Sequence, residues 1–91
     1  MEKLTSAQIK TSLASVPDWK KKGDAITRTY EFKDFPAAIK FVNALAKLAE
    51  KANHHPDIDI RWNKVKLTLS THDAGGLTTK DFALANKFDA L

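Results

Sequence analysis

Apolar positions first recur at helical spacing over residues 5–14, where Ile9, Leu13 and Val16 share one stripe that Pro17 ends. Thr5 is the N-cap candidate, with Gln8 completing a capping box and Leu4 and Ile9 at hydrophobic-staple positions. The period then drops to two. Residues 18–22 and 25–32 read as strands about a Gly23-Asp24 turn, with Ile26, Tyr30 and Phe32 on one face and Thr27, Thr29 and Glu31 on the other. Arg28 falls on the apolar face, which places it near an edge or packs its stem while the head reaches water. The longest helical pattern covers residues 35–53, with Asp34 as its cap and Pro36 in its first turn. One sheet face asks for a stripe about 100° wide, and Ala38, Val42, Leu45 and Ala49 supply it. Phe41, Leu48 and Ala52 form a second stripe beside it, a surplus that predicts either contact with another subunit or cover by the first or last helix.

Alternation returns in residues 57–62, through Ile58, Ile60 and Trp62, and in residues 64–71, through Val65, Leu67 and Leu69. Asn63-Lys64 reads as the tight link between them. After the loop Ala74-Gly75-Gly76, Thr78 caps a last helix over residues 79–88, with Leu77 and Phe82 at staple positions. The order α-β-β-α-β-β-α predicts an α+β fold: a four-stranded antiparallel sheet with three helices packed on one face, as a single domain over residues 1–91.

Composition narrows the chemistry. A chain of 91 residues suffices for one core, and a domain this small gains burial by oligomerising. With no cysteine, disulfides, thiolate nucleophiles and cysteine zinc sites are excluded, and a reducing compartment fits. No apolar run approaches the ~20 residues of a membrane span. Residues 1–10 lack the apolar core of a secretory signal, so a cytoplasmic location is expected. The net charge of +4 reads as solubility: only Lys20-Lys21-Lys22 forms a run, at a strand end, without the exposed aromatics of a nucleic-acid groove.

All three histidines lie between positions 54 and 72, at the ends of predicted elements, where catalytic residues are commonly placed. His54-His55 ends the long helix just before Pro56, and His72 ends the last strand just before the glycine loop. Three readings compete. Three neutral imidazoles can bind zinc, but adjacent histidines project in different directions and lack the i, i+4 spacing that aims two ligands from one helix. A histidine at a helix C-terminus can cap carbonyls, which serves for His54 or His55 but not His72. Imidazole, titrating near pH ~6.5, can also exchange protons with a substrate without a metal. Asp81 either completes a capping box with Thr78 or orients a neighbouring histidine, and Glu50 either faces solvent or lines the same site.

The gaps between these residues carry a resemblance. Glu50, His54-His55-Pro56, Trp62, His72 and Asp81 are seven positions across 32 residues, separated by three, five, nine and eight others. With Ser70-Thr71 before His72, and with Trp19, Asp24-Ala25-Ile26 and Phe32-Lys33-Asp34-Phe35 upstream, the pattern resembles the pterin-4a-carbinolamine dehydratases over nearly the whole chain. The resemblance implies dehydration of 4a-hydroxytetrahydropterin, released by an aromatic amino-acid hydroxylase, to quinonoid dihydropterin during tetrahydrobiopterin recycling. It implies no metal and no organic cofactor. It further implies dimers joined at sheet edges, and tetramers through the long helix. His54 and His72 would share the acid and base roles, His55 would act at the same site mainly by holding substrate, and Asp81 would support the histidines. Glu50, Asn53, Pro56, Ser70, Thr71 and Trp19 would contact the pterin. This sequence departs from the family pattern at Asn53, where Asp is common, at Ile58, where an aromatic is common, and at Trp62, where Tyr is common. Some family members also act as dimerisation cofactors of a homeodomain transcription factor, which makes a binding module the main rival to an enzyme. A pterin-binding regulatory protein is a third reading, and direct nucleic-acid binding comes last.

Overall fold

The computed structural model of the chain describes residues 2–91. The elements follow as α1 (Ser6–Leu13), β1 (Lys20–Lys22), β2 (Ala25–Glu31), α2 (Phe35–Ala52), β3 (Asp57–Arg61), β4 (Lys64–Leu69) and α3 (Thr79–Asp89). Each helix starts where its cap predicts. The Thr5 side chain accepts from Gln8 N–H at 3.2 Å while Gln8 Oε1 accepts from Thr5 N–H at 2.9 Å, and Asp34 accepts from Ala37 N–H at 2.9 Å.

The strands form one antiparallel sheet in the order β1-β2-β4-β3. Register explains the burial. Leu67 of β4 pairs with Arg28 on one side and Ile58 on the other, and Val65 pairs with Tyr30 and Ile60. These positions face the helices, and Val65, Leu67 and Leu69 of the central strand are fully buried. On the opposite face Thr27, Thr29, Lys66 and Asp59 remain at least partly open to water. Ile26, Leu45, Leu84 and Phe88 complete the core between sheet and helices. Burial of this apolar area is the dominant favourable contribution to the fold.

Three expectations need correction. β1 begins at Lys20, not at residue 18, because Asp18 lies in a turn closed by Trp19 N–H donating to Val16 O at 2.9 Å. The second hairpin turns at Trp62-Asn63 rather than at Asn63-Lys64. Trp62 takes the left-handed conformation (φ 52°) and is 67% exposed, so it does not continue the Ile58–Ile60 row. Asn63 is buried instead, and its amide donates to Phe32 O at 2.8 Å while its own carbonyl accepts from Phe32 N–H at 2.9 Å. Finally, the second stripe of α2 is largely used within the chain. The Phe41 ring packs at a tilt against Tyr30 (centroids 4.6 Å apart) and Phe32 (4.9 Å), and Leu48 packs on the core. The large apolar side chains left open include Phe35, Ile58, Ile60 and Trp62, the last three on the edge strand β3 and its turn.

Arg28 and Trp19 meet at the end of α3. The Asp89 carboxylate accepts from Trp19 Nε1 at 3.0 Å, from Arg28 at 2.8 Å and from the Tyr30 hydroxyl. A carboxylate at a helix C-terminus opposes the helix dipole, so these donors must offset that cost. Burial pushes the Tyr30 hydroxyl well above the usual phenol range, and its hydrogen bond to Asp89 and that carboxylate's charge push it further. The folded chain thus keeps this proton where the unfolded chain loses it. The resulting stabilisation is present below about pH 10 and is lost as pH rises beyond it. Asp89→Ala strands the indole and phenol donors, leaves Arg28 only its longer ion-pair contact with Asp18 (3.6 Å), and should lower the unfolding free energy by about 2 kcal/mol in urea titration. An unchanged midpoint would contradict the clasp.

Candidate active site

The site is assembled where α2 ends, where β4 ends and where α3 begins. Asn53 follows the last turn of α2 in the left-handed conformation (φ 50°, ψ 43°), which asparagine tolerates better than most residues. Its N–H and that of His54 remain tied to the helix, the latter donating to Ala49 O at 3.1 Å. The reversal sends the two histidines in different directions. The His54 side chain is 11% exposed and that of His55 57%. His55 pairs through Nε2 with Glu50 at 2.5 Å, on a surface where such a pair contributes about 0–1 kcal/mol and mainly sets the ring's orientation.

His54 points at Asp81. Its Nε2 lies 2.6 Å from Oδ1 of that carboxylate, which is fully buried. Oδ2 accepts from the Thr71 hydroxyl at 2.8 Å and from Thr78 N–H at 2.9 Å. The hydroxyls of Thr71 and Thr78 are themselves 2.9 Å apart. The two readings of Asp81 therefore hold together: one oxygen completes the α3 capping box and the other holds a histidine. Because the carboxylate's other partners all donate, the network assigns the hydrogen to Nε2 of His54.

His72 opens a single 3-10 turn, His72–Ala74. Gly75 ends this turn at φ 75° and donates to His72 O at 3.0 Å, while Thr71 N–H donates to Gly76 O at 3.0 Å. The result is a recess of about 340 Å³ lined by Asn53, His54, His55, Ser70, Thr71 and His72 together with Asp73 and Lys80. Asp81 stands behind its wall and Glu50 outside it, each reaching it through a histidine. Pro56, partly buried, follows the two histidines without lining the recess. Trp19 is not brought here: it is 3% exposed in the core, with its indole on Asp89. Lys80 was missed by the sequence reading. Its signal was a cation in the first turn of a helix, where the dipole disfavours positive charge. Among the described residues no group of three or more His, Cys, Asp or Glu is arranged to hold a metal ion.

Three imidazoles line a polar recess in a small α+β protein, and one of them is held by a buried carboxylate, a set of groups whose chemistry includes proton exchange near neutral pH. The family model for pterin 4 alpha carbinolamine dehydratase matches residues 2–91, and the chain belongs to that family. A relative in Chloroflexus aurantiacus, provisionally named a pterin-4-alpha-carbinolamine dehydratase, is 56% identical over 100% of this chain and 98% of its own length. One in Nocardia farcinica, named in the same provisional way, is 54% identical over 99% of this chain and 95% of its own length. Among solved structures, a transcriptional coactivator/pterin dehydratase from Brucella melitensis superposes with a TM-score of 0.94 at 37% identity, covering 98% of this chain and 97% of the other. A pterin dehydratase-like protein described as a RuBisCO assembly factor in the alpha-carboxysome is more distant, with a TM-score of 0.65 at 26% identity over 79% of this chain and 83% of the other.

Proposed function

We propose that this chain dehydrates 4a-hydroxytetrahydropterin to quinonoid dihydropterin and water, without metal or organic cofactor, in the cytoplasmic recycling of tetrahydrobiopterin after an aromatic amino-acid hydroxylase. The observation that carries this reading is the histidine recess, with His54 braced on Asp81 inside a family named for this reaction. Hydroxide is a poor leaving group, so breaking the C4a–O bond benefits from a proton donated to that oxygen, which departs as water. The N5–H bond gives its electron pair to the new C4a=N5 double bond, and its proton passes to a base. His54 and His72 take the acid and base roles, and imidazoles suit both near neutral pH. His55, oriented by Glu50, holds substrate, while Asn53, Ser70 and Thr71 offer polar contacts at the recess wall. No helix among the described residues is long and apolar enough to cross a membrane.

The open edge of β3, with Ile58 40% and Ile60 37% exposed, favours pairing with a second copy of the chain. The chain should sediment as a dimer or larger; a monomer at micromolar concentration contradicts that assembly. The name of the Brucella structure raises a coactivator role as a second reading, which predicts a protein partner rather than turnover.

A stopped assay with freshly generated 4a-hydroxytetrahydropterin tests the enzyme. The chain should accelerate dehydration over buffer equally with and without chelator, and His72→Ala should lose ~10²-fold or more. No acceleration by the parent chain overturns the proposed activity, and full rate in His72→Ala overturns the assigned chemistry.

A further inference from the structure

His72 separates two recesses. Beyond the histidine-lined one lies a second, of about 280 Å³, that shares Ser70, Thr71 and His72 with it and is otherwise walled chiefly by Asp24, Gly75 and Gly76. The backbone of Asp24 is set by a tight turn. The residue follows Gly23 (φ 60°) in the two-residue link that joins Lys22 to its partner Ala25. Its carboxylate is exposed and has no hydrogen-bond or ion-pair partner among the described residues. Gly75 and Gly76 bring only backbone to the same wall; the space beside Gly75 is open, whereas the Lys3 stem packs against Gly76.

The connectivity of a pterin bears on this second recess. C4a, N5 and C6 are consecutive ring atoms. Proton transfer at C4a and N5 between His54 and His72 leaves C6, and whatever it carries, one bond beyond the reacting nitrogen. We propose that the ring occupies the histidine recess with N5 towards His72, and that the C6 substituent crosses into the Asp24 recess. A carboxylate only accepts hydrogen bonds, so Asp24 selects a substituent that donates them, such as a vicinal diol, and repels an anionic one. A methyl group at C6 leaves Asp24 unanswered. This subsite rests on the dehydratase reading and makes Asp24 a specificity-determining residue.

The test compares two 4a-hydroxytetrahydropterins, one with a 6-(1,2-dihydroxypropyl) group and one with 6-methyl. The readout is the ratio of their kcat/KM values measured on the same protein sample, so loss of folded enzyme cancels. The parent chain should favour the diol by about 3- to 10-fold, the range of one hydrogen bond. Asp24→Ala should bring the ratio close to one, and Asp24→Asn, which keeps an accepting oxygen without the charge, should lower it by less. Acceleration of both substrates with a ratio that neither substitution lowers overturns the subsite alone. Acceleration of neither by the parent chain overturns the dehydratase reading and the subsite with it.

Discussion

A carboxylate with no access to water must have its oxygens answered by donors, and Asp81 is such a carboxylate. Its donors come from three separate parts of the chain: His54 beyond the end of α2, Thr71 beyond the end of β4, and Thr78 at the start of α3. Removing any one of them leaves a buried acceptor short. The junction thus fixes how the long helix, the central strand and the last helix meet, and the recess is the space that this meeting leaves. The apolar core sets which face of the sheet is covered, and the Asp81 network sets where the polar end of that core stops.

A second carboxylate, more open to water, works at the other end of α3. Asp89 gathers Trp19, Arg28 and Tyr30, so the two ends of one helix are each pinned by a carboxylate to different parts of the chain. The chemistry of the ends differs. At Asp81 the carboxylate sits at the helix N-terminus, where the dipole favours it; at Asp89 it sits at the C-terminus, where only its donors justify it. The first end adjoins the histidine recess, and the second lies at the surface, where it caps the indole of the buried Trp19.

Local signals were legible in the sequence where the physics is local. The caps at Thr5, Asp34 and Thr78 depend on residues a few positions apart and stood as read. The alternation in β2 and β4 gave the buried face because both strands have neighbours on both sides. At β3 the period held for Ile58 and Ile60 but did not bring burial with it. The strand lies at the edge, and edge position is a property of topology rather than of period. Trp62 was misread because asparagine was taken as the left-handed residue of the turn; its neighbour adopts that conformation so that Asn63 can bond Phe32. Trp19 was assigned to the pterin on family resemblance, and its long-range bond to Asp89 could not be seen in a linear pattern. The partnership of His54 with Asp81 spans 27 positions, and the sequence offered it only as one of two readings of Asp81, without naming the histidine it reaches.

The central claim is that Asp81 serves the proposed reaction through His54 rather than by contact with substrate. A double-mutant cycle tests it directly, with kcat/KM for dehydration measured per folded protein in the parent chain, His54→Ala, Asp81→Asn and the double variant. Asp81→Asn should cost ~10- to 100-fold in the parent background and less than about 2-fold once His54 is absent. An equal loss in both backgrounds would contradict the claim.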